Sequence, residues 1–222
     1  MIKLFKDSID KFQSILPLPY LKQGILTNEA FFMYAYAKLF NIDVVIDSGT
    51  HFGRSAEFFA KLGFIVHTLD RNITDHTNRR LSKYDNVVMH VGEDHDIIPQ
   101  LLDNMNKSLR VAVFMDSTKG RSACIFCKEL TAQFKSINMV AIHDQWRQHL
   151  MKRYFPKTKC SDEEPFNSKY WYLNKQVFSR KYYSETNEAE LDYVKARYAK
   201  DLDAKDKSWS DFKGFVVGVS PT

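Results

Sequence analysis

Five acids, Asp47, Asp70, Asp94, Asp116 and Asp144, each stand at or just past a short apolar run, and Lys119 follows Asp116 by three residues. Apolar runs of this kind are strands, so the acids gather where strands end. Asp116 and Asp144 close neighbouring expected strands, and Gln145 sets an amide oxygen beside the second. Two carboxylates and an amide oxygen form a hard donor set suited to Mg²⁺, which leaves positions open for substrate oxygens. A hydroxyl on such an ion loses its proton more easily, and Lys119 is placed to accept or stabilise that proton. His143 and His149 offer a metal-free alternative in which a histidine is the general base. For each histidine alone, a packing role competes with that reading.

The stretch from Val44 to Phe59, VVIDSGTHFGRSAEFF, reads as a buried strand, a glycine turn and the start of a helix. Val44, Val45 and Ile46 are the β-branched run of a strand covered on both faces. Gly49 and Gly53 flank a loop that lets backbone approach a ligand, and the helix that follows turns its unpaired N–H groups toward the loop. The spacing is acid-x-Gly-x-x-x-Gly. Neither a dinucleotide fingerprint nor a phosphate-binding loop has this form. An acid where a dinucleotide would put its pyrophosphate favours a ligand with a cationic or hydroxyl-rich part, and S-adenosylmethionine (SAM) has both. Asp70 ends the next strand, where an acid accepts hydrogen bonds from ribose hydroxyls. Glu93, Asp94 and His95 follow the third strand, on the edge where an adenine lies.

The elements that position these residues follow in order. Ser8 to Leu16 is expected as a short helix stopped by Pro17 and Pro19, and NEAFFMYAYAKLF as a longer one capped by Thr27 or Asn28. Further strands are read at Ile65 to Leu69, Val87 to Met89, RVAVFM before Asp116, and Met139 to Ile142. Pro99 is tolerable near the first turn of the helix between the third and fourth. The alternation of strands and helices predicts an α/β fold: a Rossmann-like, doubly wound, mostly parallel seven-stranded sheet with helices on both faces and ligands along one edge. From Trp146 the pattern changes. Residues 147–200 are rich in aromatics, among them Tyr154, Phe155, Phe166, Tyr170, Trp171 and Tyr172, and read as an insertion over the acceptor side of the site. KGFVVGVS is expected to return to the sheet. The chain thus divides into an N-terminal helical segment (1–24), a cofactor-binding core (25–146), the insertion (147–200) and the return (201–222), all in one domain.

The glycine stretch resembles the first motif of class I SAM-dependent methyltransferases. Asp116, Lys119 and Asp144 resemble the metal and substrate residues of the catechol and caffeoyl-CoA O-methyltransferase group, and GEDHDIIPQL at 92–101 is similar to the adenine-side segment of the catechol enzymes. The resemblance covers about residues 25–146. It implies that Asp47, Gly49, His51, Gly53 and Ser55 surround the methionine part of SAM, that Asp70 takes the ribose with Arg71 beside it, and that Asp94 and His95 flank adenine, with Asp116 shared between cofactor and metal. It implies Mg²⁺ or another divalent ion on Asp116, Asp144 and Gln145, with Lys119, Asp116, Asp144 and His143 as catalytic residues. Gln145 departs from the Asn of that group, and the aromatic region after Trp146 has no counterpart in its compact members.

The remaining observations bound the function. With 222 residues, 44% of them hydrophobic and 27% charged, the chain can bury one substantial core. No apolar run approaches a membrane span and the first residues are too charged for a signal peptide, so a soluble, cytoplasmic protein is expected. Cys124 and Cys127 lie in a helical stretch with no second pair to complete a zinc site, and Cys160 stands alone, so all three are read as packing cysteines. The net charge of +5 is spread without a dense basic stripe, so nucleic acid is not expected as a partner. The expected activity is metal-assisted methyl transfer to a hydroxyl of a small hydroxylated molecule, with two alternatives: a carbohydrate O-methyltransferase that uses a histidine base, and, from another class, a SAM-binding protein without turnover. A second copy of the chain is a candidate partner.

Overall fold

The structure, a computed structural model, describes residues 2–15, 25–144, 150–163, 166–170, 173 and 217–222. Seven strands form one sheet: β1 (Val44–Ser48), β2 (Ile65–Asp70), β3 (Val87–Val91), β4 (Val111–Met115), β5 (Ile137–Ile142), β6 (Lys159–Cys160) and β7 (Gly218–Pro221). Their order is β3-β2-β1-β4-β5-β7-β6. The first five are parallel, whereas β7 runs antiparallel to both β5 and β6. The order reverses between β1 and β4. At such a reversal the connections leave to opposite faces, and a crevice opens outside the carboxyl ends of the two strands.

The helices are α1 (Ile2–Ser14), α2 (Thr27–Leu39), α3 (Arg54–Lys61), α4 (Asp75–Leu81), α5 (Asp94–Asn104), α6 (Gly120–Gln133), α7 (Met151–Tyr154) and α8 (Phe166–Tyr170). Side chains alternate along the buried strands, so each strand feeds two cores. Val45, Ala112 and Phe114 pack on one face with Phe5, Phe12, Phe31 and Phe58, while Val44, Ile46, Val113 and Met115 pack on the other with Ile98, Leu102 and Cys127. α2 is buried almost all round, from Thr27 to Ala37, because α1 covers the side turned away from the sheet.

The fold agrees with the doubly wound expectation and corrects several details. α2 begins at Thr27, and neither Thr27 nor Asn28 caps it: the N-cap is Leu26, whose N–H donates to the Glu29 carboxylate at 2.7 Å. α4, with its dense polar sequence DHTNRRL, had no apolar period to betray it; Thr74 caps it by accepting from Thr77 N–H at 3.2 Å. β3 runs on to Val91 and β5 starts at Ile137. Within 147–200, Phe155, Phe166 and Tyr170 are core side chains, and the Phe166 ring lies 4.7 Å from Phe32 and 4.8 Å from Phe5, so these three do not wall an acceptor pocket. Trp171, Tyr172 and the rest of that region lie outside the described residues. Cys124, Cys127 and Cys160 are buried, unbridged thiols, and burial pushes the Cys124 thiol up to about 11. No helix among the described residues is long and apolar enough to cross a membrane.

Gly49 holds the two central strand ends together. Its φ is +100°, and a Cβ there would lie 2.8 Å from the backbone nitrogen of Ser117, so the approach expected of a ligand is made by the end of β4. Gly63 has a similar φ of +94° with open space around it. Gly63→Ala should therefore cost only the left-handed strain, about 1–2 kcal/mol. Gly49→Ala should cost clearly more in urea unfolding, because Ser117 must also move. Equal losses would show that the approach is not tight.

Candidate functional site

The carboxyl ends of β1, β2, β4 and β5 bring the predicted acids to one edge. Asp47 is fully buried on β1. Its Oδ2 accepts hydrogen bonds from Ser55 Oγ at 3.0 Å and Thr68 Oγ1 at 2.8 Å, while its Oδ1 is buried without a hydrogen-bond partner. Burial pushes its carboxyl up to about 7, helped by the nearby Asp116 and Asp70 and only partly opposed by the two hydroxyls. Ser55, the second residue of α3, thus serves Asp47 directly. Gly53 opens α3 with φ +77° and sits against the Leu81 side chain.

Asp70, at the end of β2, accepts the His51 N–H at 2.9 Å on Oδ2, and its Oδ1 takes only a long contact of 3.4 Å from the Asn72 N–H. That bond fixes the loop after β1, in which His51 has φ +44°. Arg71 is exposed and pairs with Glu93 at 2.7 Å. Asp94 is buried under three hydroxyls: Ser48 Oγ donates at 2.7 Å, Thr118 Oγ1 at 3.0 Å, and Ser117 Oγ completes the set. It therefore ties the start of α5 to the ends of β1 and β4. His95 is exposed, with its ring stacked on Phe126 at 4.1 Å.

The ends of β4 and β5 carry the densest charge. Asp116 Oδ1 accepts from the Lys119 ammonium and from His143 Nδ1 at 2.9 Å. The same ammonium lies 2.9 Å from Asp144 Oδ2. His143 Nδ1 is 3.3 Å from Asp144 Oδ1, and its Nε2 faces Glu29 Oε2 at 3.3 Å. Burial alone would raise the Asp116 carboxyl, but His143 and Lys119 outweigh it and hold the group well below the usual carboxylate range. Burial alone would lower His143 and Lys119, yet Asp116 and Glu29 lift the first well above its ordinary value, and Asp116 and Asp144 lift the second. Lys119 and Asp144 reach solvent, with side chains 44% and 23% exposed, while His143 and Glu29 stay below 5%.

These positions bear on two expectations. His143 does not suit the general-base role: both ring nitrogens face carboxylates, the ring is buried, and its proton is held. A divalent ion would have to compete with the chain's own cations. Asp116, His143 and Asp144 offer ligand atoms within 4.8 Å of one another, the one such group among the described residues. As they stand, however, the Lys119 ammonium occupies both carboxylates and His143 presents an N–H where a ligand needs a lone pair. Gln145 and His149 lie outside the described residues. Two contributors escaped the sequence reading, Glu29 and Arg54. Arg54 is buried over the Phe58 ring and donates from Nε to the Ile25 carbonyl at 3.0 Å, pinning the start of α2 to α3. For Glu29 the signal was a charge leading an apolar helix; for Arg54 the local sequence offered none.

No model of a known protein family matches the chain, and no curated protein matches it. Among solved structures it is similar to the O-methyltransferase TomG from Streptomyces achromogenes in complex with SAM, at 14% identity and a TM-score of 0.48 over 99% of this chain and 90% of that one. It is also similar to an O-methyltransferase from Bacillus cereus in complex with SAH, at 13% identity and a TM-score of 0.49 over 99% and 91%. For CalS11, a TDP-rhamnose 3'-O-methyltransferase, the values are 14% and 0.44 over 68% and 84%. These likenesses are too distant to carry function across.

Asp47 yields a pH test. Its carboxyl holds a proton up to about 7 when folded, against 3.8 as its ordinary value. Between these values the folded chain binds more protons than the unfolded one, so this group's contribution to stability falls as pH rises from about 4 to about 7 and is constant above. Asp47→Asn keeps acceptors for Ser55 and Thr68 but does not titrate. It should gain on the wild type across that window, by roughly 1.4 kcal/mol per pH unit at most. Parallel stability profiles would show that Asp47 is ionised throughout.

Proposed function

We propose that the chain is a SAM-dependent methyltransferase that moves a methyl group to a hydroxyl of a small acceptor, a phenol or a sugar. The observation that carries this reading is the pairing, across the switch between β1 and β4, of a buried carboxylate oxygen with no partner, Asp47 Oδ1, and a solvent-reaching ammonium, Lys119. The first suits the methionine ammonium of the cofactor and the second a reacting oxygen. Asp70 Oδ1 is available for ribose hydroxyls, with His51, Gly49, Gly53 and Ser55 shaping the loop between. Arg71, Asp94 and His95 border the adenine side, where Asp94 acts by holding backbone together and His95 by the face of its ring.

Bound SAM supplies a methyl group on a sulfonium, already activated for in-line displacement. The protein's share is placement and charge. Lys119 stays protonated between its two acids, so it stabilises negative charge developing on the acceptor oxygen instead of taking the proton. Asp144, the solvent-reaching carboxylate beside it, is the nearest group to receive the proton. Asp116 holds Lys119 in place and faces the cofactor side. No step requires a divalent ion.

Calorimetry with SAM and with SAH should give binding, accompanied near pH 7 by proton release, because an ammonium against Asp47 favours its ionised form. Asp47→Asn should weaken SAM roughly ten- to a hundredfold. With tritium-labelled SAM and a panel of phenols and sugars, Lys119→Met should cut transfer by a factor of about 100 or more while SAM affinity holds. Excess EDTA should leave transfer unchanged. Absence of binding by either ligand would sink the reading, and loss of turnover in EDTA would return a metal to the site.

A further inference from the structure

We propose that Glu29 is a positioning residue for the transfer site, acting from the first turn of α2 through His143 to fix Asp116 against Lys119. The inference rests on the methyltransferase reading above and adds a residue to it. Glu29 is fully buried, and its Oε2 accepts both the Leu26 N–H at 2.7 Å and His143 Nε2 at 3.3 Å. The cap alone does not call for a buried charge, since a neutral glutamine at the same third position of the helix would accept the Leu26 N–H equally well. A buried carboxylate is unfavourable unless it is paired and hydrogen-bonded, and the cation that pairs with Glu29 is His143.

The contacts form one line: Glu29 Oε2 to His143, His143 Nδ1 to Asp116 Oδ1, Asp116 to the Lys119 ammonium, and Lys119 to Asp144 Oδ2. The line runs from a rigid interior to the solvent-reaching end. Asp116 sits at its turn and takes two cationic donors on the same oxygen. With Lys119 as its one partner, the carboxylate could follow the flexible lysine; with His143 behind it, it cannot. His143 in turn has no freedom, because the start of α2 is held by Arg54 on the Ile25 carbonyl. Glu29 touches neither solvent nor any group that meets the acceptor, so it positions and does not react. The groups facing His143 include Glu29 from α2 and Asp116 and Asp144 from the strand ends, and Phe114 lies edge-on to its ring at 6.3 Å.

Glu29→Gln retains an acceptor for Leu26 and removes the charge. The expected result is a ten- to hundredfold fall in kcat, with SAM affinity and acceptor KM within about twofold of wild type. In a His143→Gln background the same change should lower kcat no further, because Glu29 acts only through that ring. NMR reads the contact without any turnover: the His143 ring N–H signal toward Glu29 should move or vanish in the Glu29→Gln protein. If Glu29→Gln does not fold, Glu29→Asp, which keeps the charge but falls one methylene short of His143, takes its place in each measurement. A lowered melting temperature with unchanged kcat would reduce Glu29 to a helix cap and overturn the proposal, as would effects that add in the double variant. Failure of the methyltransferase reading would appear separately, as no SAM binding by the wild type, with the NMR shift still present.

Discussion

Four carboxylates crowd one edge of a parallel sheet, and their mutual repulsion is the constraint on which the rest of the structure depends. Asp47, Asp70, Asp116 and Asp144 lie at the ends of β1, β2, β4 and β5, in strands that neighbour one another in the order β2-β1-β4-β5. Each is accommodated differently. Asp47 is driven toward its protonated form by burial and by Asp116 and Asp70. Asp70 is turned onto a backbone N–H, and Asp116 and Asp144 share one ammonium. The protein could have spread these charges, and instead it pays for keeping them together with a buried histidine and a lysine. Such concentrated perturbation marks sites of binding and chemistry more often than structural ion pairs.

Much of the fold was legible because parallel strands buried on both faces announce themselves. VVI, VAVFM and NMVAI are runs that few other environments accept, and the acid after each gives the strand direction. Among the aromatics after Trp146, Phe155, Phe166 and Tyr170 misled, since a ring that packs in a core and a ring that lines a pocket look alike in sequence. Phe166 and Tyr170 belong to the α1–α2 cluster because the chain returns across that face, a long-range fact no local pattern carries. α4 was invisible for the opposite reason. Its seven residues are almost all polar, and Thr74 with Thr77 makes the helix by capping instead of by an apolar stripe.

The site divides in the same way. Types and spacing were enough to name Asp116, Lys119 and Asp144 as partners, because adjacent strand ends must converge. The surroundings of this group were not readable, because His143, which meets Asp116, also meets Glu29, 114 residues away in sequence. With Asp116 on one ring nitrogen and Glu29 on the other, His143 is lifted well above its ordinary value, which does not suit a base. With Lys119 already on both acids, the pair that suggested Mg²⁺ is neutralised by the chain itself. Asp94 shows the same limit: it was expected to flank an adenine, and the three hydroxyls that make it a brace between strand ends left no signal in the local sequence.

The central claim is that the edge between β1 and β4 takes the cofactor while Lys119 supplies a cation to the acceptor's reacting oxygen. A crystal structure grown with SAH and millimolar Mg²⁺ tests it most directly. The account predicts the amino-acid end of SAH with its ammonium on Asp47 Oδ1, ribose hydroxyls on Asp70, and Lys119 still bridging Asp116 and Asp144. An ion between those two carboxylates with Lys119 displaced, or SAH bound away from Asp47, would contradict it.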